Sequence, residues 1–195
     1  MLKVLIVYYS RHGSVTRMAE QIGLGVDSNP QCESVVRCLP PVSANNQQSE
    51  PDLAEQGPAY AQISDLEACD ALILGSPGYF GNMAAPLKHF LDSTSALWIS
   101  GGLIGKPAAV FTATSSMHGG QESVLTSMML PLLHHGMLLC GIPYSEPALN
   151  RTGSGATPYG ASHVAGQQGR ALSDDEISAC RTLGKRIAGL SCKLA

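Results

Sequence analysis

The sequence predicts an α/β fold of the doubly wound kind: five parallel strands in the order 2-1-3-4-5, covered by helices on both faces in a three-layer αβα sandwich. Three observations predict it. Apolar runs without polar interruption recur at residues 4–9, 71–75 and 108–113, the pattern of strands buried on both faces. Segments of helical periodicity lie between them, so strand and helix alternate as right-handed β-α-β units. At 195 residues the chain is long enough to bury a full core, and one domain over residues 1–195 is expected.

The first strand, 4–9, is β-branched and aromatic, which places it at the centre of the sheet. The helix after it, 14–26, sets Val15, Met18, Ala19, Ile22 and Val26 at steps of three and four, a stripe that packs on the sheet. Residues 34–39 make the second strand. Prolines, Ser, Asn and Gln then displace apolar residues, and 41–58 reads as a surface excursion. A capping box of Ser64 with Glu67 precedes the third strand, 71–75, which ends in Ser76-Pro77-Gly78. Residues 84–92 read as helix. The fourth strand, 108–113, runs into the small and polar stretch 114–120 and a helix over 121–135, which Pro131 is expected to kink. Residues 137–142 supply the fifth strand, and a second excursion spans 145–171. The last helix opens on an N-cap at Ser173 with a capping-box Glu176 and with Asp174 and Asp175 matched to the dipole. Its predicted buried face is Ile177, Cys180, Leu183, Ile187, Leu190 and Leu194.

Composition narrows the function. A net charge of -3 gives no positive field for a phosphodiester backbone, so no nucleic acid is expected as a partner. The six cysteines, Cys32, Cys38, Cys69, Cys140, Cys180 and Cys192, form no Cys-x-x-Cys pair and no zinc spacing, and read as reduced packing thiols. The apolar start ends in Ser10-Arg11-His12 without a cleavage site; it is neither signal peptide nor membrane span, and a cytoplasmic location is expected. Charged residues are only 14%, low for this size, which points to surface covered by other subunits.

In doubly wound sheets ligands sit outside the carboxyl ends of the strands, at the switch point between strands one and three. The first loop there, residues 10–16, offers hydroxyls at Ser10, Ser14 and Thr16 around Gly13. It precedes a helix whose first-turn N–H groups and dipole favour an anion. The plainer alternative is a simple N-cap at Ser14. No Gly-x-Gly-x-x-Gly follows a strand, and Gly105-Lys106 is followed by Pro107, so neither the dinucleotide fingerprint nor a P-loop fits. Strand one ends in Tyr9-Ser10 and strand three in Gly75-Ser76, without the acids a metal-dependent receiver domain needs. The second loop, 76–83, sets Tyr79 and Phe80 between glycines, suited to bordering a flat conjugated ring such as a flavin. Packing beneath the helix from Ala84 is its alternative. The third loop, 114–120, has the small residues and donors to wrap a ligand edge. His134 and His135 point about 100° apart on a helix, with no acidic or Cys partner at ligand spacing, so no metal is expected.

These residues resemble a family. Residues 4–10 with Gly13, Pro77 with Phe80-Gly81-Asn82-Met83, Phe90-Leu91-Asp92 with Leu97-Trp98, Gly119-Gly120-Gln121-Glu122, His134-His135-Gly136-Met137 and Thr157-Pro158-Tyr159-Gly160-Ala161 are similar to those of the WrbA-type NAD(P)H:quinone oxidoreductases, flavodoxin-like tetramers. The resemblance implies FMN as cofactor, NADH or NADPH as donor and a quinone as acceptor. It implies two-electron ping-pong turnover to the hydroquinone in one slot, and a homotetramer built as a dimer of dimers. Ser10, Arg11, His12, Gly13, Ser14 and Val15 would bind the FMN phosphate. Pro77, Gly78, Tyr79 and Phe80, with Ala113, Thr114, Ser115, Ser116, Met117, His118 and Gly119, would embrace the ribityl chain and ring. His134 would reach the flavin from a neighbouring subunit, while His12 and Trp98 fall on the substrate side. His118 is a candidate hydrogen-bond donor to a quinone oxygen, and no side chain serves as a nucleophile, because the cofactor carries the redox chemistry. Family members often carry Tyr where this chain has His12 and Arg where it has Tyr79. The two excursions are assigned by the same resemblance to subunit contacts. Two other readings stand beside this one: a one-electron carrier of the flavodoxin type, which a charge of only -3 disfavours, and an FMN-stabilised oligomer that binds partners.

Overall fold

The computed structural model describes residues 1–43 and 57–195, so most of the expected 41–58 excursion lies outside the described residues. The elements in chain order are β1 (Leu2–Tyr8), α1 (Ser14–Asp27), β2 (Cys32–Cys38), α2 (Ile63–Ala68), β3 (Ala71–Tyr79), β4 (Asn82–Met83), α3 (Ala85–Asp92), α4 (Ser95–Ser100), β5 (Pro107–Thr114), α5 (Gln121–His134), β6 (Leu138–Leu139), α6 (Ala148–Arg151), β7 (Ala161–Val164) and α7 (Asp174–Leu194). The sheet order is β2-β1-β3-β5-β6, all parallel, with β4 folded back antiparallel on β3. Setting the short β4 aside, this is the expected 2-1-3-4-5 arrangement.

The fifth lane departs from expectation. Only Leu138 and Leu139 of the predicted 137–142 strand pair with β5, against Pro107 and Ala108. Cys140 N still donates to Ala108 O at 2.8 Å, but by Ile142 the chain has changed partner, its N–H donating to Pro158 O at 2.9 Å. Farther along the same edge the lane is filled by β7, whose four residues pair with Phe111 to Thr114. The 145–171 segment is therefore not all surface: every residue of β7 is buried. Its run Ala161-Ser162-His163-Val164 is too short and too polar to announce a strand.

Alternation along β1 divides the core. Val4, Ile6 and Tyr8 face α1 and α7 with Ile73 and Phe111, whereas Leu5 and Val7 face α2, α3 and α5 with Leu72, Leu74 and Val110. The predicted stripe of α1 is buried as expected. In α7, Cys180, Leu183 and Ile187 are buried, but Leu194 is 55% exposed at the helix end and Ile177 lies only part-way in. Small residues, Ala179, Gly184 and Ala188, take up the rest of the face because α7 packs closely on α1. A Cβ on Gly184 would lie 2.1 Å from the Ile22 carbonyl oxygen, and one on Gly25 would lie 2.3 Å from that of Arg181. Gly184→Ala should therefore wedge the helices apart. The expected cost is about 3 kcal/mol, read as a fall in Tm of roughly 6–12 °C in thermal unfolding.

Two capping expectations separate. The box at Ser173 and Glu176 forms as read. That at Ser64 and Glu67 does not: α2 starts at Ile63, and its box joins Gln62 to Asp65, whose Oδ2 accepts from Gln62 N at 2.8 Å. Helix α5 carries Pro131 inside it without interruption.

Candidate functional site

The carboxyl ends of β1, β3, β5 and β7 open on one cleft of about 300 Å³. Its first wall is the turn from β1 into α1. Gly13 adopts φ +81°, the left-handed conformation that a side chain resists, and its N–H donates to Ser10 Oγ at 3.1 Å. Gly13 is thus the N-cap, and Ser14 is the first helical residue rather than the cap. No side chain caps α1, so the N–H groups of its first turn face the cleft beside Ser10, His12, Ser14 and Val15. Thr16 is not among the residues that line the cleft.

Above this turn stands Arg17. Its Nη2 donates to Ser14 Oγ and to the Arg170 carbonyl, each at 3.3 Å, and its buried Nε has no protein partner. Through the Ser14 contact a guanidinium is held over the helix N-terminus, beside the cleft rather than in its lining.

The second wall is β3, which continues four residues past its predicted end to Tyr79 and returns through a two-residue turn to β4. Ser76 fixes this hairpin: its Oγ accepts from Ala84 N at 2.8 Å and donates to Pro77 O at 2.9 Å. Pro77, Gly78 and Tyr79 line the cleft together with Arg11, whose pKa the neighbouring Tyr79 raises. Phe80 is different. It sits at the hairpin tip with φ +52° and is fully exposed, neither in the cleft nor beneath α3.

The third wall is the end of β5. Ala113, Thr114 and Ser115 reach the cleft, while 116–119 fold into a turn closed by Gly119 N donating to Ser116 O at 3.1 Å. Ser116, Met117 and His118 are exposed on its outer side. The fourth wall is Ala165, Gly166, Gln167 and Gly169, after β7.

That fourth wall hangs on one buried carboxylate. Glu176 Oε1 accepts from Ser154 Oγ and Gly155 N at 3.0 Å and from Val164 N at 3.1 Å; Oε2 accepts from Ser173 N at 2.8 Å and from His163 Nδ1 at 2.9 Å. Burial alone would raise this carboxyl, but the donors, led by His163 and Ser173, outweigh it and hold the group at about 2.

A profile of the NADPH-dependent FMN reductase family matches residues 3–144. Over 206 aligned residues the chain is 41% identical to a protein of Syntrophobacter fumaroxidans named NAD(P)H dehydrogenase (quinone), covering 99% of this chain and 98% of that one. A protein of the same name from Geobacter sulfurreducens is 39% identical, with 99% of both chains covered. The chain belongs to the FMN reductase family, among the NAD(P)H dehydrogenases (quinone). Solved structures agree on the fold. A WrbA-like flavodoxin from Agrobacterium tumefaciens superposes with a TM-score of 0.69 at 22% identity, covering 100% of each chain. A flavodoxin from the domain Archaea superposes at 0.63 and 19%, covering 98% of this chain and 99% of that one.

In this FMN reductase family member, Ser10, Arg11, His12, Ser14, Val15, Pro77, Gly78, Tyr79, Ala113, Thr114 and Ser115 are brought to one cleft from the predicted loops. Trp98 and His134 are not. Trp98 Nε1 donates to the His134 carbonyl at 2.8 Å, and both line a separate groove with Thr94 and Pro131. Beside them, His135 is buried and bonded through Nε2 to Thr94 Oγ1 at 2.9 Å. Among the described residues no helix is long and apolar enough to cross a membrane.

Sequence reading missed Arg17 and the 165–169 wall. The first was legible: helical periodicity sets residue 17 above 13 and 14. The second was not, because a two-glycine loop signals a ligand wall only once β7 is known to lead into it.

Proposed function

We propose that the chain is an FMN-dependent NAD(P)H:quinone oxidoreductase, reducing quinones to hydroquinones two electrons at a time. The observation that carries the reading is the meeting, in one cleft, of an uncapped helix N-terminus with the aromatic Tyr79 and two further backbone walls. The cleft lies within the size range of cofactor sites. When bound, FMN supplies the redox chemistry, taking two electrons from a nicotinamide and yielding them to a quinone.

The residues bind and orient. The first-turn amides of α1, with Ser10 and Ser14, hold the phosphate dianion, and Arg17 adds a fixed positive charge at close range. Gly78, Ala113 and Thr114 bring backbone to the ring edge, and the 165–169 loop shields the remaining side from water. Relatives often carry Arg at the Tyr79 position; here Arg11, which lines the cleft beside Tyr79, returns a guanidinium to that side of it. It supplies a positive charge beside the ring and beside an incoming nicotinamide nucleotide.

Quinone and nicotinamide share one slot, and the homotetramer completes it. Ile99, Ile104, Leu130 and Leu133 are all more than half exposed around the Trp98–His134 groove, an apolar face suited to a second copy. Through such a contact His134 and Trp98 reach a neighbour's cleft. Six free thiols accord with a cytoplasmic location.

The test is steady-state turnover. Protein loaded with FMN is expected to oxidise NADH or NADPH only when benzoquinone is present, with parallel lines in double-reciprocal plots and a tetramer in sedimentation. FMN-loaded protein without pyridine-nucleotide oxidation would overturn the enzymatic reading.

A further inference from the structure

We infer that Cys32 and Cys192 form a peroxide-oxidisable dithiol, a modification site whose product is a disulfide tying the start of β2 to the last turn of α7. The two Sγ atoms stand 3.6 Å apart. An approach of about 1.6 Å brings them to the roughly 2.05 Å of a disulfide. Cys32 is buried, with its Sγ 3.6 Å from the Ala188 carbonyl oxygen. Cys192 is half-buried and borders a surface groove with Met1, Leu2, Gln31 and Ala195, a route for a small oxidant. Asn29 Nδ2 donates to Cys192 Sγ at 3.5 Å. The other four thiols have different neighbours: Cys38 donates to Pro58 O at 3.0 Å, Cys69 donates to Leu66 O at 3.2 Å, Cys140 lies 2.8 Å from Arg186 Nε, and Cys180 is enclosed in the core.

The roles divide by exposure. Burial, with Cys192 alongside, pushes the Cys32 thiol up to about 11, so Cys192 reacts first. Its thiolate attacks hydrogen peroxide, breaking the O–O bond, forming the sulfenic acid and releasing hydroxide. The Cys32 sulfur then attacks the Cys192 sulfur; the S–S bond forms, the S–O bond breaks, and the Cys32 proton leaves with the displaced hydroxide as water. In sum, two thiols and one peroxide give one disulfide and two waters, the sulfurs losing the two electrons the peroxide gains.

The link forms beside Leu2, the register partner of Cys32, at the amino end of β1 and away from the cleft at the carboxyl ends. It joins residues 160 apart in sequence and so restricts the unfolded chain while leaving the cleft untouched. The pair is an oxidation-driven staple, independent of what the cleft binds.

The full-length protein, reduced and desalted, is treated with a few equivalents of hydrogen peroxide. Expected are a loss of two of the six thiols, a Cys32–Cys192 crosslinked peptide, a Tm higher by roughly 5–10 °C, and reversal by dithiothreitol. Cys192→Ser should abolish the crosslink and the Tm gain. Cys32→Ala should arrest oxidation at a Cys192 sulfenic acid that dimedone traps. Six titratable thiols after treatment, a crosslink between other cysteines, or a Tm gain surviving in Cys192→Ser would each overturn the inference.

Discussion

Ser14→Asp is expected to weaken FMN binding at least about 100-fold while leaving the melting temperature of the apoprotein within a degree or two. Ser14 is the first residue of α1 and lines the cleft, with its Oγ 3.3 Å from Arg17 Nη2. A carboxylate there suits the helix dipole, which is why the fold should tolerate it. It also sets a negative charge where a phosphate dianion must sit and engages the guanidinium that would balance it. A hundredfold loss corresponds to about 2.7 kcal/mol, modest against the repulsion of a charge and a dianion a few ångströms apart near a protein surface. Ser14→Ala removes one neutral donor and should cost only about 5-fold. Fluorescence titration of FMN measures both. Affinity of Ser14→Asp within about threefold of the parent would place the phosphate elsewhere.

The second large effect is at Glu176. Its fully buried carboxylate accepts from three backbone N–H groups, Gly155, Val164 and Ser173, and from two side chains, Ser154 and His163. Glu176→Ala strands all five donors. The expected loss is roughly 3–5 kcal/mol, or about 10 °C or more in Tm. FMN affinity should fall with it, because the same carboxylate holds Val164, from which the Ala165–Gly169 wall of the cleft departs. Glu176→Gln keeps one acceptor oxygen but turns an NH2 toward the remaining donors, so its cost should be smaller.

The pH dependence follows from the same group. Its folded pKa of about 2 lies below the ordinary value of 4.5, so the carboxylate's contribution is complete above about pH 5 and is lost as pH falls from 4.5 toward 2. The stability gap between parent and Glu176→Gln should shrink over that acid window and stay constant above it. Denaturant unfolding at pH 3, 5 and 7 checks this; a gap unchanged at pH 3 would contradict the assignment.

How much of this was legible depended on range. The strands 4–9, 71–75 and 108–113 announced themselves because burial on both faces demands unbroken apolar runs. Helix α1 and the capping box at Ser173 and Glu176 were written in local periodicity. The box at Ser64 was a false signal, since Gln62 and Asp65 compete for the same turn two residues earlier. Phe80 shows the same limit: an aromatic residue between glycines suits a ring site, yet the turn that returns β3 to β4 sets left-handed backbone at Phe80 and Gly81, and the Phe80 side chain is exposed at its tip.

The amino-acid sequence alone determined the doubly wound order, the three loops at the switch point and the family, because these rest on patterns within a dozen residues of one another. Tertiary structure decided the rest. It alone split the fifth lane between β6 and β7, brought the 165–169 loop to the cleft, and set Cys32 against Cys192. It also revealed that Glu176, read as a helix cap, gathers donors from three segments. The physical reason is the same in each case: a buried hydrogen bond or contact across many residues selects its partner only when the sheet and helices have already fixed the distance.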